Sequence, residues 1–294
     1  MMLHVTEDQV RELLPMRECI RLMREVFKDL WAGTALNQVR RRLFLPTGST
    51  LHSMAGAWGK YFGTKIYSVN PKTGANFFFL LFDAETARPL AQFEANYLGQ
   101  IRTGAASGYA ADVLAAPDAS TLAIIGSGFQ ARSQFEAIRA VRPIKEVRVW
   151  SRNEAKREDF AKLIGATAFD TAQEAVRGAR IVTTATSAKD PVLESAWIAA
   201  GTHINAMGSN QAQRRELPSE LIARAQLIAV DSIEQAKIES GDLLLAPVDW
   251  ADPRIVELSK VDARPAGAPV TIFKSLGLGV EDVAAAAFVY EKLS

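Results

Sequence analysis

Disulfides cannot brace this chain. Cys19 is the only cysteine among 294 residues, which excludes a disulfide scaffold and points to a reducing compartment. Histidine is nearly as scarce, and His4, His52 and His203 stand at no metal-ligand spacing, so no metal site is expected. An excess of one charge is missing too. Lys and Arg number 34 against 33 Asp and Glu, and the net charge of +1 excludes the basic footprint of a nucleic-acid binder. No apolar run approaches membrane-spanning length, and the opening MMLHVTEDQV is too charged for a secretory signal. These absences lead us to expect a soluble, cytoplasmic protein with neither nucleic-acid nor membrane partners. What is plentiful is apolar residue, 48% of the chain, enough for one large or two modest domains.

The most informative stretch is TLAIIGSGFQA, residues 121–131. Leu122, Ala123, Ile124 and Ile125 read as a strand buried on both faces of a parallel sheet. A G-x-G-x-x-A turn follows and opens a helical segment. In such a turn Gly126 allows the tight bend, Gly128 lets backbone approach a pyrophosphate, and Ala131 lets helix pack closely on strand. The intervening Ser127, Phe129 and Gln130 complete the expected cofactor loop, whose phosphates would sit on the helix N-terminus. The acid that grips a ribose 2′-hydroxyl should follow the next strand, where the chain reads VRVWSRNEAKRE. Ser151, Arg152 and Asn153 stand there instead, and Arg152 can form a charge-assisted fork with a 2′-phosphate. The expectation is therefore NADP(H), with NAD(H) possible.

Along the chain, Thr6 and Gln9 make a capping-box start, and Met16, Ile20, Met23, Phe27 and Leu30 keep a helical period. Cys19 falls on that apolar face as a small buried hydrophobe. Runs at Arg42–Pro46, Leu51–Trp58, Tyr61–Val69, Phe77–Asp83 and Pro89–Glu94 predict an antiparallel meander. A slim helix over Tyr97–Leu114 follows, small enough on one side for close approach. Pro117-Asp118 marks a boundary, beyond which strands alternate with helices as in a doubly wound parallel sheet. After the Gly/Pro turn at Ala266–Pro269, Val270–Phe273 and a helix through Asp282–Tyr290 are expected to pack back on the first domain. The predicted division is 1–117 plus 270–294, with 118–269 inserted.

Five segments together resemble the ornithine cyclodeaminase/mu-crystallin family: FGTKIYSVNP around Lys65, QIRTGAASG around Arg102, IIGSGFQA, INAMGSNQAQRREL and TIFKSLGLGVED. The resemblance implies an α/β fold, a Rossmann doubly wound sheet inserted into an α+β substrate-binding and dimerisation domain, and a homodimer. It places Arg40, Lys65 and Arg102 at the carboxylate of a small amino or imino acid. The chemistry suits them, since Arg offers a carboxylate a two-pronged fork and a desolvated Lys shifts its pKa readily. Lys65 could contact the carboxylate or exchange a proton with the substrate nitrogen. The resemblance also implies that Met54 and His52 line the substrate pocket and that Thr103, Met207 and Ser275 approach the cofactor. One departure matters. Cyclodeaminases carry an aspartate that activates water where this chain reads Met207-Gly208-Ser209-Asn210. Asn210 can hydrogen-bond but cannot take a proton as a base. Glu216, Asp231 and Asp242 are nearby in sequence and could substitute for that base, with capping and ion pairing as their expected work. The reading is an NAD(P)H-dependent imine reductase or amino-acid dehydrogenase acting on a small 2-imino carboxylate such as pyrroline-2-carboxylate. The alternatives are ornithine cyclodeaminase proper and a non-catalytic NADPH- and ligand-binding protein.

Overall fold

The computed structural model describes residues 2–294, and the chain divides into two units, Met1–Ala105 with Gly277–Ser294 and Ala106–Leu276. In the first unit, β1 (Leu3–Val5) leads into α1 (Glu7–Leu13), whose capping box is made by Thr6 and Gln9. Helix α2 (Met16–Ala32) buries Cys19, Met23 and Phe27 along one stripe and stops at Gly33, in left-handed conformation at φ 74°. Strands β2 (Leu36–Asn37), β3 (Arg41–Phe44), β4 (Thr50–Trp58), β5 (Tyr61–Asn70), β6 (Gly74–Asp83) and β7 (Pro89–Glu94) complete a seven-stranded sheet. The meander is antiparallel, and β1 adds to β7 in parallel. Alternation along the strands sorts the side chains. His52, Met54, Lys65, Tyr67 and Phe79 turn to the buried face, whereas Leu43, Leu51, Ile66 and Phe78 are exposed on the other. Helix α3 (Asn96–Leu114) then carries the chain into the second unit.

There the elements run β8 (Thr121–Ile125), α4 (Phe129–Val141), β9 (Glu146–Trp150), α5 (Glu154–Ile164), β10 (Thr167–Ala168), α6 (Ala172–Val176), β11 (Ile181–Thr184) and β12 (Thr202–Ala206). They continue as α7 (Ser219–Arg224), β13 (Leu227–Val230), α8 (Ile233–Glu239), α9 (Gly241–Leu244), β14 (Ile255–Glu257) and β15 (Val270–Lys274). All eight strands are parallel in the order β10-β9-β8-β11-β12-β15-β13-β14, so the winding reverses between β8 and β11. Ligands of open α/β sheets bind at such a reversal, outside the carboxyl ends of the strands.

The expected division needs correcting at both ends. Val270–Phe273 does not return to the first unit. It lies inside the parallel sheet as β15, between β12 and β13. Val270, Ile272 and Phe273 are fully buried, as a central strand covered on both faces requires. The Gly/Pro turn before it is a loop and not a domain border. At the other end the units divide at Ala105, inside α3, and not at Pro117-Asp118. A continuous helix crosses that point, so no break in composition marks it.

Helix α10 (Gly279–Leu293) brings the chain back to the first unit, packing on β4, β5 and α2. The approach is close because both partners lack side chains where they meet. A Cβ on Gly56 would strike the Val280 backbone, and one on Gly279 would strike that of Ala55. This seats the first turn of α10, Glu281 and Asp282, against the buried face of the sheet.

Candidate functional site

The predicted residues form two groups, one in each unit. In the first unit, Lys65 projects from β5, and its Nζ donates to Asp282 Oδ1 at 2.8 Å. Arg102 of α3 donates from Nε to the same oxygen at 3.1 Å and from Nη1 to Glu281 Oε2 at 2.9 Å. Lys65 is 3% exposed, and Glu281 and Asp282 are fully buried. Arg40, just ahead of β3, donates from Nη2 to the carbonyl of Gly277 at 3.3 Å. Gly277 has φ 78°, and a Cβ there would strike the Arg102 guanidinium. Buried charges persist only when paired and hydrogen-bonded. Here three cations meet two carboxylates. Among the described residues such a lining of buried cationic donors suits a ligand that bears a carboxylate.

Arg102 is less free than the sequence suggests. With Nε and Nη1 engaged by Asp282 and Glu281, its fork is largely turned to protein, leaving Nη2 for a ligand. Glu281 and Asp282 are the residues that sequence reasoning missed. Two acids in the first turn of a helix read as complements to its dipole, a sufficient explanation that hid a second role. Burial and the neighbouring Arg102 pull the Lys65 pKa down to about 8, against the pull of Asp282. Met54 lies directly across from Lys65 in the strand register and is fully buried. The His52 ring stacks on Tyr67, centroids 4.2 Å apart, and burial with Arg42 and Arg40 pushes its pKa down to about 4. It is therefore a neutral imidazole at physiological pH. Thr103 directs its hydroxyl to the carbonyl of Gly99, one turn back in the helix.

In the second unit, Gly126 has φ 125°, and a Cβ there would strike the Ala185 backbone, so only glycine fits. Gly128 caps α4 without any side-chain hydrogen bond, and nothing lies within 4 Å of where its Cβ would be. The first N–H groups of a 13-residue helix are thus free of a side-chain cap beside open space, which fits a dinucleotide pyrophosphate. Ala131 is buried beneath, while Phe129 is half-exposed and Gln130 partly buried. Ser127 and Ser151 share a hydrogen bond of 2.8 Å that ties the turns after β8 and β9 together. Arg152 is exposed beside them. Asn153 accepts from the Lys156 N–H at 2.9 Å and so caps α5, committing its Oδ1 to the helix. Met207 and Ser275 follow β12 and β15, their N–H groups bound to Thr184 O and Ala206 O. Asn210 ends the turn after β12. The nearby carboxylates serve the fold: Asp231 accepts from Leu276 N–H, and Asp242 accepts from Glu216 and Leu217 while pairing with Lys274. His203 is buried among Thr271 and Asn205, its pKa pushed down to about 3 by burial.

A family model described as the ornithine cyclodeaminase/mu-crystallin family matches residues 1–294. A Delta(1)-pyrroline-2-carboxylate reductase of Bacillus cereus is 35% identical over 315 aligned positions, spanning 99% of this chain and 96% of the relative. Among solved structures, Thermococcus litoralis Delta(1)-pyrroline-2-carboxylate reductase in complex with NADH and L-proline superposes with TM-score 0.92 at 31% identity. That match covers 99% of this chain and 97% of the other. An archaeal alanine dehydrogenase dimer with bound NAD superposes with TM-score 0.91, also at 31% identity, covering 99% and 95%.

The ion cluster predicts its own titration. Lys65 should titrate near 8 when followed by nitrogen NMR, and Asp282→Asn should lower it further, because the carboxylate favours the charged ammonium. A Lys65 pKa above 10 in the wild type, or an upward shift in Asp282→Asn, would contradict the assignment.

Proposed function

This chain belongs to the ornithine cyclodeaminase/mu-crystallin family, and from that premise we propose that it is an NAD(P)H-dependent imine reductase. Its substrate is a small 2-imino carboxylate such as Δ1-pyrroline-2-carboxylate. The observation that carries the reading is the buried gathering of Arg40, Lys65 and Arg102 beside Glu281 and Asp282. Arg40 and the remaining Nη2 of Arg102 hold the carboxylate. Lys65, with a pKa of about 8, is mostly protonated at neutral pH and keeps the substrate nitrogen protonated. The buried Oδ2 of Asp282 has no hydrogen-bond partner among the described residues and can accept from that nitrogen. Asn210 supplies no base, which disfavours the hydration and ammonia loss of a cyclodeaminase. The uncapped start of α4 and the Gly126–Ala131 turn hold the cofactor phosphates. Arg152, with no acid in its place, favours NADPH over NADH. When bound, the nicotinamide supplies the hydride.

The test is cofactor consumption with cyclic and open-chain imino acids. We expect NADPH oxidation by a cyclic 2-imino carboxylate, slowing as pH rises through about 8 and Lys65 loses its proton. Arg152→Ala should weaken NADPH about 10- to 100-fold, the loss of one charge-assisted contact, and leave NADH unchanged. Ammonia release from ornithine without net cofactor oxidation would overturn the reading in favour of a cyclodeaminase.

We also propose a homodimer through the sheet of the first unit. Leu43 pairs with Leu51 and Ile66 with Phe78 on its outer face, and all four are exposed. Monomers rarely leave so contiguous an apolar surface in water. The wild type should elute at twice the 32.0 kDa chain mass, and Ile66→Asp with Phe78→Asp should halve it. A wild-type monomer would refute the dimer.

A further inference from the structure

The reduction scheme does not use Glu216, although it is fully buried and unusually well held. Its Oε1 accepts from the N–H and hydroxyl of Thr186 at 2.8 and 2.7 Å. Its Oε2 accepts from the Thr184 hydroxyl at 2.8 Å and from Gly208 N–H at 2.7 Å. Four donors converge on one carboxylate. They come from two turns, one after β11 and one after β12, at the carboxyl ends of adjacent strands. Both ends of the Glu216 loop are fixed in turn. The Glu216 N–H is bound by Asp242 Oδ1 at 2.7 Å, Asp242 pairs with Lys274 at 2.8 Å, and Lys274 donates to the carbonyl of Ser209 at 2.6 Å. Gly208 is glycine for the same reason, since a Cβ there would overlap the Glu216 carboxylate and the Thr186 backbone.

A dinucleotide fold has two mononucleotide halves, and the turns after β8 and β9 belong to the first. The turns that Glu216 joins belong to the second, which receives the nicotinamide half. The first of them also backs the cofactor loop, because Gly126 rests on Ala185, the residue between Thr184 and Thr186. We propose that Glu216 is a positioning residue, a buried anionic clamp that sets the Thr184–Thr186 and Met207–Asn210 turns for the nicotinamide half of the cofactor. This rests on the cofactor reading above.

Glu216→Gln separates the two halves. The amide oxygen can still accept from one pair of donors, but the amide NH2 then faces the other pair; the hydroxyl there can turn to accept from it, whereas the backbone N–H, of Thr186 or of Gly208, loses its acceptor and loosens its turn. Two ligands are titrated calorimetrically against the full chain: NADPH, and adenosine 2′,5′-bisphosphate, which carries only the adenosine half. We expect the dissociation constant for NADPH to rise about 10- to 100-fold and that for the bisphosphate to stay within about twofold. Thr186→Val keeps the N–H and removes one hydroxyl, and it should show the same split at about 3- to 10-fold. That variant decides the matter if Glu216→Gln does not fold. Equal weakening of both ligands, or no weakening of either, would overturn the assignment of Glu216 while leaving the cofactor reading intact. A wild type that bound neither ligand would overturn both.

Discussion

Asp282 is shared by Lys65 and Arg102, and the first unit is arranged around that buried contact. The three residues come from a strand, a helix and a returning C-terminal helix that are distant in sequence. Each charge is nearly or fully shielded from water, so none is tolerable without the others. The glycines that let α10 approach β4 are the steric condition for the cluster, and Gly277 is where the two arginines converge. Desolvation, held in check by Asp282, then lowers the Lys65 pKa to about 8. A packing constraint thereby becomes a chemical property.

In the second unit the proposed cofactor site relies on backbone more than on charge. Its glycine turn offers N–H groups and open space, and its neighbouring turns are held by the buried Glu216 carboxylate. Asn210 stands in a turn built with that much care and yet has no ionisable group. A turn so ordered, without a base, agrees with chemistry that orients a substrate and does not activate water.

Much of this was legible in the chain. The G-x-G-x-x-A turn, the Thr6/Gln9 capping box and the aromatic meander are local signals, and the structure follows them to within a few residues. Lys65, Arg102 and Arg40 were recognisable, but their partners were not. Glu281 and Asp282 satisfy a helix dipole locally, and nothing local tells that they also neutralise residues some 180 to 220 positions earlier. The sequence of β15 shows no evident partner in the parallel sheet, and only its burial between two other strands shows where it belongs. Asn153 was expected at the cofactor because of its position after a strand. It is also the expected cap of the next helix, and its side-chain oxygen does cap α5. Long-range pairing and competing local roles are what sequence patterns do not display.

The central claim is that this chain transfers hydride to an imine carbon and expels no amine. Its most direct test is to supply Δ1-pyrroline-2-carboxylate with NADPH deuterated at the transferable position of the nicotinamide C4 and to examine the proline formed by mass spectrometry and NMR. The account predicts one deuterium per proline, located at the α-carbon, with equimolar NADP+. Proline without deuterium, or no turnover of the imine at all, would contradict it.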